Sequence, residues 1–318
     1  MRILFPDKEA LPPKHYLTTR SFGYPSWCMT FKEALIAAGA EVVPSPPRTG
    51  YIVEFQEGGK SCKALIDYTS HAVPFNMYAK NRDNWETILS DNCQEDYDFI
   101  LALKYDRRHL DLYSLFGPVE PGGYIAFNTQ ARSDPDRWSK IEEWRSQFDS
   151  SKKREVLFCR MGLRNSKDGK ITKWGGPTRS QQLQELKDLG MPLDGPKPRL
   201  RWDEYMSLLL TSRAGLNLPG WGNSICYRTL EYACIGVPII SGPELEPMIL
   251  PWGESWEHEK NHLRVNSMSE VPEAFERLCN DPDLFQTLVD NSRKLFDAVF
   301  RPEPTGRWWM EMARKYLK

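Results

Sequence analysis

The chain has 318 residues and a formal net charge of −1, with 42 Lys and Arg set against 43 Asp and Glu. That length suits two domains of roughly 150 residues, each able to bury a core without covalent staples. The near-neutral balance excludes the global basic field typical of nucleic-acid binders, although a local basic groove remains compatible with it.

The first 45 residues read as strand, long loop, helix, strand. "RILF" is a short β run. Trp27 to Ala38 has helical periodicity, with Phe31, Leu35 and Ala38 on one stripe and Gly39 as the terminating glycine. "EVVP" gives the second strand. A β-loop-α-β opening is the signature of a parallel α/β sheet. Further strands are expected at "KALIDY" ending at Tyr68, "YDFILALK" ending at Lys104, and "YIAFN" ending at Asn128. Ser133 to Lys153 reads as a polar helix and a linker.

A second α/β unit then begins. "EVLFCR" is a buried strand ending in Arg160, followed by a polar loop. "TRSQQLQELKDLG" and "RWDEYMSLLLTSR" read as helices and "AGLNLP" as a strand. The segment "GWGNSICYRTLEYACIGVPIIS", Gly220 to Ser241, reads as a glycine turn, a helix and a strand, and "HLRV" as the last strand. Two helices close the chain. The expected architecture is α/β, with two Rossmann-like parallel-sheet domains facing across a cleft. Their ranges are 1–145 for an N-terminal acceptor domain and 146–300 for a C-terminal nucleotide-binding domain. The C-terminal helix, 301–318, is expected to cross back onto the first domain.

Seven cysteines, Cys28, Cys62, Cys93, Cys159, Cys226, Cys234 and Cys279, contain no C-x-x-C pair, so neither a zinc spacing nor a disulfide framework is present. An odd count with apolar neighbours reads as reduced thiols of a cytoplasmic protein. The start of the sequence does not read as a signal peptide, and no apolar run approaches the roughly 20 residues that span a bilayer. No Walker loop, G-x-G-x-x-G after the first strand, G-x-S-x-G or H-E-x-x-H occurs.

The chemistry concentrates in the Gly220–Ser241 segment. Asn223 or Ser224 is the expected helix cap. Ser224, Arg228 and Glu231 then fall at i, i+4 and i+7 on one face, while Cys226, Leu230, Ala233 and Cys234 face the sheet. Glycine amides, including that of Gly222, a helix dipole and an arginine at a strand's carboxyl end suit a phosphate. A carboxylate one turn further on suits a ribose diol. The competing reading is an ordinary arginine–glutamate pair on a solvated helix face. Trp221 suits ring stacking or turn packing equally.

"CYRTLEYACIGVPIISG" resembles the nucleotide-sugar-binding segment of GT-B glycosyltransferases, in which a glutamate precedes a small-residue helix end and a G-x-P strand. Many retaining members carry two glutamates eight positions apart. Glu231 matches the second, whereas Asn223 stands at the first. Arg228 is more like the exostosin-type members. The resemblance spans Ala214 to Gly242 and implies a hexosyl- or pentosyltransferase using a nucleotide-sugar donor, with a UDP-sugar expected and no tightly bound metal. It also implies a diphosphate near the loop after "EVLFCR", where Arg160, Arg164 and Lys173 are the cations.

Sugar transfer with inversion needs a base for the acceptor hydroxyl. Asp67, ending an apolar strand, is the first candidate, with His71 in the loop beyond it. His15 and Arg20 in the first long loop are weaker candidates. "DPD" at Asp134–Asp136 matches D-x-D by letter but reads as a helix-start turn. Lys104 to Tyr113 is the most basic stretch with interleaved aromatics and reads either as a solvated helix start or as an anionic acceptor surface. The acceptor is expected to be a glycan, lipid or protein hydroxyl. The alternatives are a bacteriophage-type DNA glycosyltransferase acting on a 5-hydroxymethylpyrimidine, a nucleotide-sugar epimerase of GT-B form, and a non-catalytic two-lobed sugar or nucleotide-sugar binding protein.

Overall fold

The structure, a computed structural model, describes residues 1–6, 26–46, 52–67, 96–123, 134–160, 179–195, 200–218 and 226–318. The candidate positions His15, Arg20, His71, Arg164, Lys173, Trp221, Gly222, Asn223 and Ser224 lie outside the described residues. Two compact units form. One comprises Met1–Ala126, Pro247–Ser255 and Asp297–Lys318, and the other Phe127–Glu246 and Trp256–Phe296.

The first unit contains β1 (Arg2–Phe5), α1 (Ser26–Ala37), β2 (Glu41–Pro44), β3 (Ile52–Glu57), β4 (Lys60–Asp67), β5 (Phe99–Ala102), α2 (Leu110–Ser114) and β6 (Val119–Pro121). Its six-stranded sheet has the order β2-β1-β3-β4-β5-β6. Most pairings are parallel, but β3 runs antiparallel to both β1 and β4. The wholly parallel sheet expected from the sequence is therefore interrupted by a hairpin. Its turn, Gly58–Gly59, places both residues at positive φ, +61° and +80°, which glycine adopts without a Cβ clash. The expected strand at "YIAFN" lies outside the described residues.

The second unit contains α3 (Arg137–Ser146), β7 (Arg154–Phe158), α4 (Arg179–Asp188), β8 (Leu193–Asp194), α5 (Trp202–Leu210), β9 (Ser212–Asn217), α6 (Tyr227–Ile235), β10 (Ile239–Ser241), β11 (Leu263–Arg264), α7 (Val271–Asn280) and α8 (Pro282–Val299). The last three residues of α8 count with the first unit. All described pairings are parallel in the five-stranded order β11-β10-β9-β7-β8. Sequence order reverses between β7 and β9. At such a switch point the connections leave in opposite directions and open a crevice at the strands' carboxyl ends.

The segment read as helix plus linker packs within this unit. Trp144 of α3 meets Trp202 of α5 edge to face at 4.9 Å. The "DPD" letters form the start of α3, as the turn reading has it. Asp134 accepts from Asp136 N at 3.0 Å, and Lys140 bridges Asp134 and Asp203 at 2.7 and 3.1 Å.

The final helix, α9 (Pro302–Arg314), belongs to the first unit. Trp309 stacks on Phe31 of α1 with ring centroids 3.5 Å apart, and a Cβ at Gly306 would sit 2.0 Å from the Ala34 carbonyl oxygen. The two helix backbones touch, and glycine makes that approach possible. Gly306→Ala should lower stability by about 1–3 kcal/mol through overpacking. At an uncrowded helix position the same change would gain about 1 kcal/mol. Urea unfolding followed by near-UV circular dichroism reads the sign directly.

His262 is fully buried against Trp256 in the second unit. Burial first, then the charges of His258 and Arg264, pushes its pKa down to about 4 from 6.5. The native state thus holds this imidazole neutral where the unfolded chain would protonate it. Its contribution is complete above about pH 6.5 and is lost as pH falls toward 4, a difference on the order of 3 kcal/mol. His262→Gln should flatten the stability–pH curve across that window, as read by chemical denaturation at each pH.

Candidate functional site

The carboxyl edge of β9 and β10 is laced to the first turn of α6 by a buried polar network. The Asn217 amide donates to Ser241 Oγ at 2.9 Å and to Glu244 Oε1 at 2.7 Å, and Ser241 Oγ donates to the same carboxylate oxygen at 2.7 Å. In return Asn217 Oδ1 accepts from Thr229 Oγ1 at 2.8 Å and from the Cys226 thiol at 2.9 Å. Cys226 is the residue before α6 and makes no side-chain cap bond. The helix therefore starts later than the sequence reading, which put Ser224 inside it with Asn223 or Ser224 as cap. Arg228 becomes its second residue and Glu231 its fifth.

Both side chains are buried, Arg228 at 3% exposure and Glu231 at 0%. A solvated surface pair is thereby overturned. All residues of α6 from Arg228 to Ile235 are buried, and only Tyr227 at its start is exposed. Gly236 ends it at φ 82°, and Arg293 of α8 donates to the Ile235 carbonyl at 3.0 and 2.7 Å. The Arg145 guanidinium of α3 donates to the Cys234 carbonyl. Two cations thus meet the helix's negative end, and its positive end opens at the switch point.

Arg228 Nε and Nη2 are buried and meet no hydrogen-bond acceptor among the described residues. A buried N–H left unmet costs roughly 1–3 kcal/mol, more on a charged group. Tyrosines neighbour this guanidinium. The Tyr227 ring lies 5.6 Å away. Tyr232 lies flat over Gly215 of β9, where a Cβ would sit 2.6 Å from its ring, and Phe158 meets Tyr205 edge to face at 5.0 Å. Burial first, and then Tyr232 and Glu231, raise the Tyr205 hydroxyl well above its ordinary pKa, so it stays a proton donor beside the Glu231 carboxylate.

Arg179 opens α4, and sequence reasoning overlooked it. Burial and then the charge of Arg228 push its guanidinium down, which places two like charges in one electrostatic neighbourhood. A cation in a helix's first turn opposes the dipole, and this is the signal that the sequence offered. Arg160 follows β7 at the same edge, but its guanidinium grips Asp194 at 2.9 Å, and Arg154 holds the other oxygen of that carboxylate at 3.2 Å. Its charge is already met.

In the first unit, Asp67 ends β4 at 2% exposure. The Tyr113 hydroxyl of α2 donates to Asp67 Oδ2 at 3.1 Å. Burial and then Asp67 raise Tyr113 well above its usual value, so the phenol remains a donor. The Lys104–Tyr113 stretch is in part the solvated helix start expected, with Asp106 capping a 3₁₀ turn and Arg107, Arg108, Leu110 and Asp111 exposed. Lys104, Asp106 and Tyr113 are buried, and Arg108 is clamped on Asp106 at 2.5 to 3.1 Å. A strand end and its following turn draw these residues inward.

Among the described residues, no group of three or more His, Cys, Asp or Glu side chains is placed to hold a metal ion, and no helix is long and apolar enough to cross a membrane. Cys62, Cys159, Cys226, Cys234 and Cys279 are free thiols.

Neither known family models nor curated proteins give a match to this chain. Among solved structures it is similar to Anabaena HepE in complex with UDP and glucose, at 11% identity and a TM-score of 0.46, over 78% of this chain and 70% of that one. It is similar to sucrose-phosphate synthase from Thermosynechococcus elongatus at 14% identity and 0.45, over 79% and 67%. The pneumococcal O-GlcNAc transferase GtfA, in complex with UDP and GlcNAc, is similar at 14% and 0.42, over 80% and 52%.

An arginine kept for structure loses stability when replaced, whereas one kept for an absent anion does not. Arg228→Met keeps the stem and removes the unmet donors. It should leave the ligand-free melting temperature unchanged or raise stability by about 1–2 kcal/mol. Thermal unfolding of the two proteins side by side checks this.

Proposed function

We propose that the chain is a glycosyltransferase of GT-B form that moves a sugar from a nucleotide-diphosphate donor to a hydroxyl acceptor. One observation carries the reading: the Arg228 guanidinium is buried in the first turn of α6, which follows the strand at the sheet's switch point, with two donors unmet among the described residues. A diphosphate is an anion of matching chemistry. It takes a guanidinium fork bidentately and favours a helix N-terminus. Arg179 supplies a second positive charge, while Arg160 shapes the edge through Asp194. Glu231, one turn deeper, accepts from the two ribose hydroxyls.

In this reading the acceptor oxygen bonds to the anomeric carbon as the bond from that carbon to the diphosphate oxygen breaks. The electron pair leaves with the diphosphate, and the arginines offset its developing charge. Asp67 takes the acceptor proton, its carboxylate oriented by Tyr113. His71 remains a proposed contributor to catalysis, and Gly222, Asn223, Ser224, Arg164 and Lys173 remain proposed contributors to donor binding. UDP is the proposed nucleotide, and a glycan, lipid or protein hydroxyl the proposed acceptor.

A ligand at one hundred times its Kd stabilises the folded state by about 2.7 kcal/mol, a rise of roughly 4 °C for a protein of this size. UDP, GDP, ADP, dTDP and their sugars should divide accordingly in a thermal-shift screen, with one nucleotide family raising the midpoint. Arg228→Met and Glu231→Gln should abolish that rise, and Asp67→Asn should keep it while losing transfer. The reading fails if no nucleotide shifts the wild type, or if Arg228→Met responds equally.

A further inference from the structure

An exposed aromatic corner lies in the first unit, built by the segment Pro247–Ser255 and by α9. Backbone bonds tie that segment down, from Ile249 N to the Tyr105 carbonyl at 2.8 Å and from Arg107 N to the Pro247 carbonyl at 2.9 Å. Within its 3₁₀ turn, Pro251–Gly253, Trp252 has φ 61° and ψ 13°. This left-handed conformation costs a side-chain-bearing residue roughly 1–2 kcal/mol. Strain of this kind persists where the surroundings over-determine it, and it concentrates at functional positions.

Packing does not explain the residue, because Trp252 is 40% exposed. Its ring is nevertheless fixed. Trp252 Nε1 donates to the Pro304 carbonyl at 3.2 Å, and Trp308 meets it at 5.0 Å and 66°. Trp308 Nε1 in turn donates to the Pro121 carbonyl at 2.6 Å. Polar groups border the corner. Lys315 Nζ stands 5.9 Å from the Trp308 ring and 3.4 Å from Glu120 Oε1, which also accepts from the Tyr316 hydroxyl at 3.0 Å.

We propose that the Trp252–Trp308 corner binds a saccharide, one pyranose ring laying its C–H face on the Trp252 indole while Glu120 and Lys315 take hydroxyls. An immobile aromatic face beside a carboxylate and an ammonium suits a ring that is apolar on its faces and polar at its edge. Fixing both indoles beforehand removes the ordering cost of binding. A proline-rich peptide fits less well. It needs a free indole N–H for its carbonyls, and both donors are already spent. A quaternary ammonium would contend with Lys315 at the Trp308 face.

The inference stands apart from the nucleotide reading, because it concerns other residues and another signal. The test uses the full chain, with its indole N–H resonances followed by two-dimensional nuclear magnetic resonance. The probes are methyl β-glucopyranoside, methyl α-mannopyranoside, cellobiose, maltose, diacetylchitobiose and, separately, decaproline. At least one saccharide should shift the Trp252 and Trp308 signals saturably. Trp252→Asn tolerates the left-handed backbone and should weaken that binding about tenfold or more, as should Glu120→Gln. The proposal is overturned if no saccharide moves either signal, if saccharide binding survives both substitutions, or if decaproline alone moves them.

Discussion

The organising constraint of the second unit is a guanidinium that has left water with two donors that meet no acceptor among the described residues. Nothing about the local chain requires Arg228 to be buried, since a residue in a helix's first turn usually reaches solvent. It is enclosed because α6 is sunk into the unit from Arg228 onward, with Asn217, Thr229, Ser241 and Glu244 stitching its first turn to the edge of the sheet. Buried polar groups are nearly always satisfied in native proteins, and exceptions cluster where a ligand completes them. Among the described residues the side chains of Asn217, Thr229, Ser241 and Glu244 bond to one another, whereas Arg228 Nε and Nη2 meet no acceptor.

The neighbouring cations show what satisfaction looks like. Arg160 and Arg154 share the carboxylate of Asp194, and Arg293 and Arg145 close the carbonyl end of α6. Each has a partner of opposite charge or a helix terminus of the right sign. Arg179 and Arg228 share one electrostatic neighbourhood and add to its positive potential. Like charges that share a low-dielectric surrounding repel, and an anion beside them would offset that cost.

Much of this was legible in the sequence because it depended on local chemistry. Helical periodicity and the left-handed glycines Gly39, Gly190 and Gly236 marked where α1, α4 and α6 stop. The apolar strands β7, β9 and β10 announced themselves by composition. The start of α6 was misplaced because cap preference points to Asn223 or Ser224. The turn at Cys226 is instead fixed by a thiol bonded to a residue in a different strand, a tertiary contact with no local signature. β3 went unseen although Gly58–Gly59 lies between two β-prone runs, because its antiparallel sense departs from the parallel pattern around it. The buried state of Lys104 was equally hidden, since a basic cluster looks the same in sequence whether a strand end draws it inward or leaves it in water.

The dispersal of the first unit along the chain governs how it is made. Phe31, in the first tenth of the sequence, rests against Trp309, and the Cys62 thiol reaches the Ala313 carbonyl. During synthesis the early sheet emerges long before the helix that covers it, and the second unit is translated almost entirely in between. At about 5–20 residues per second that interval lasts roughly 10–35 seconds. Through it, the apolar face that later receives Trp309, Met310, Met312 and Ala313 lacks its own covering helix. Order on the ribosome therefore runs against order in the sequence: the unit that begins first finishes last.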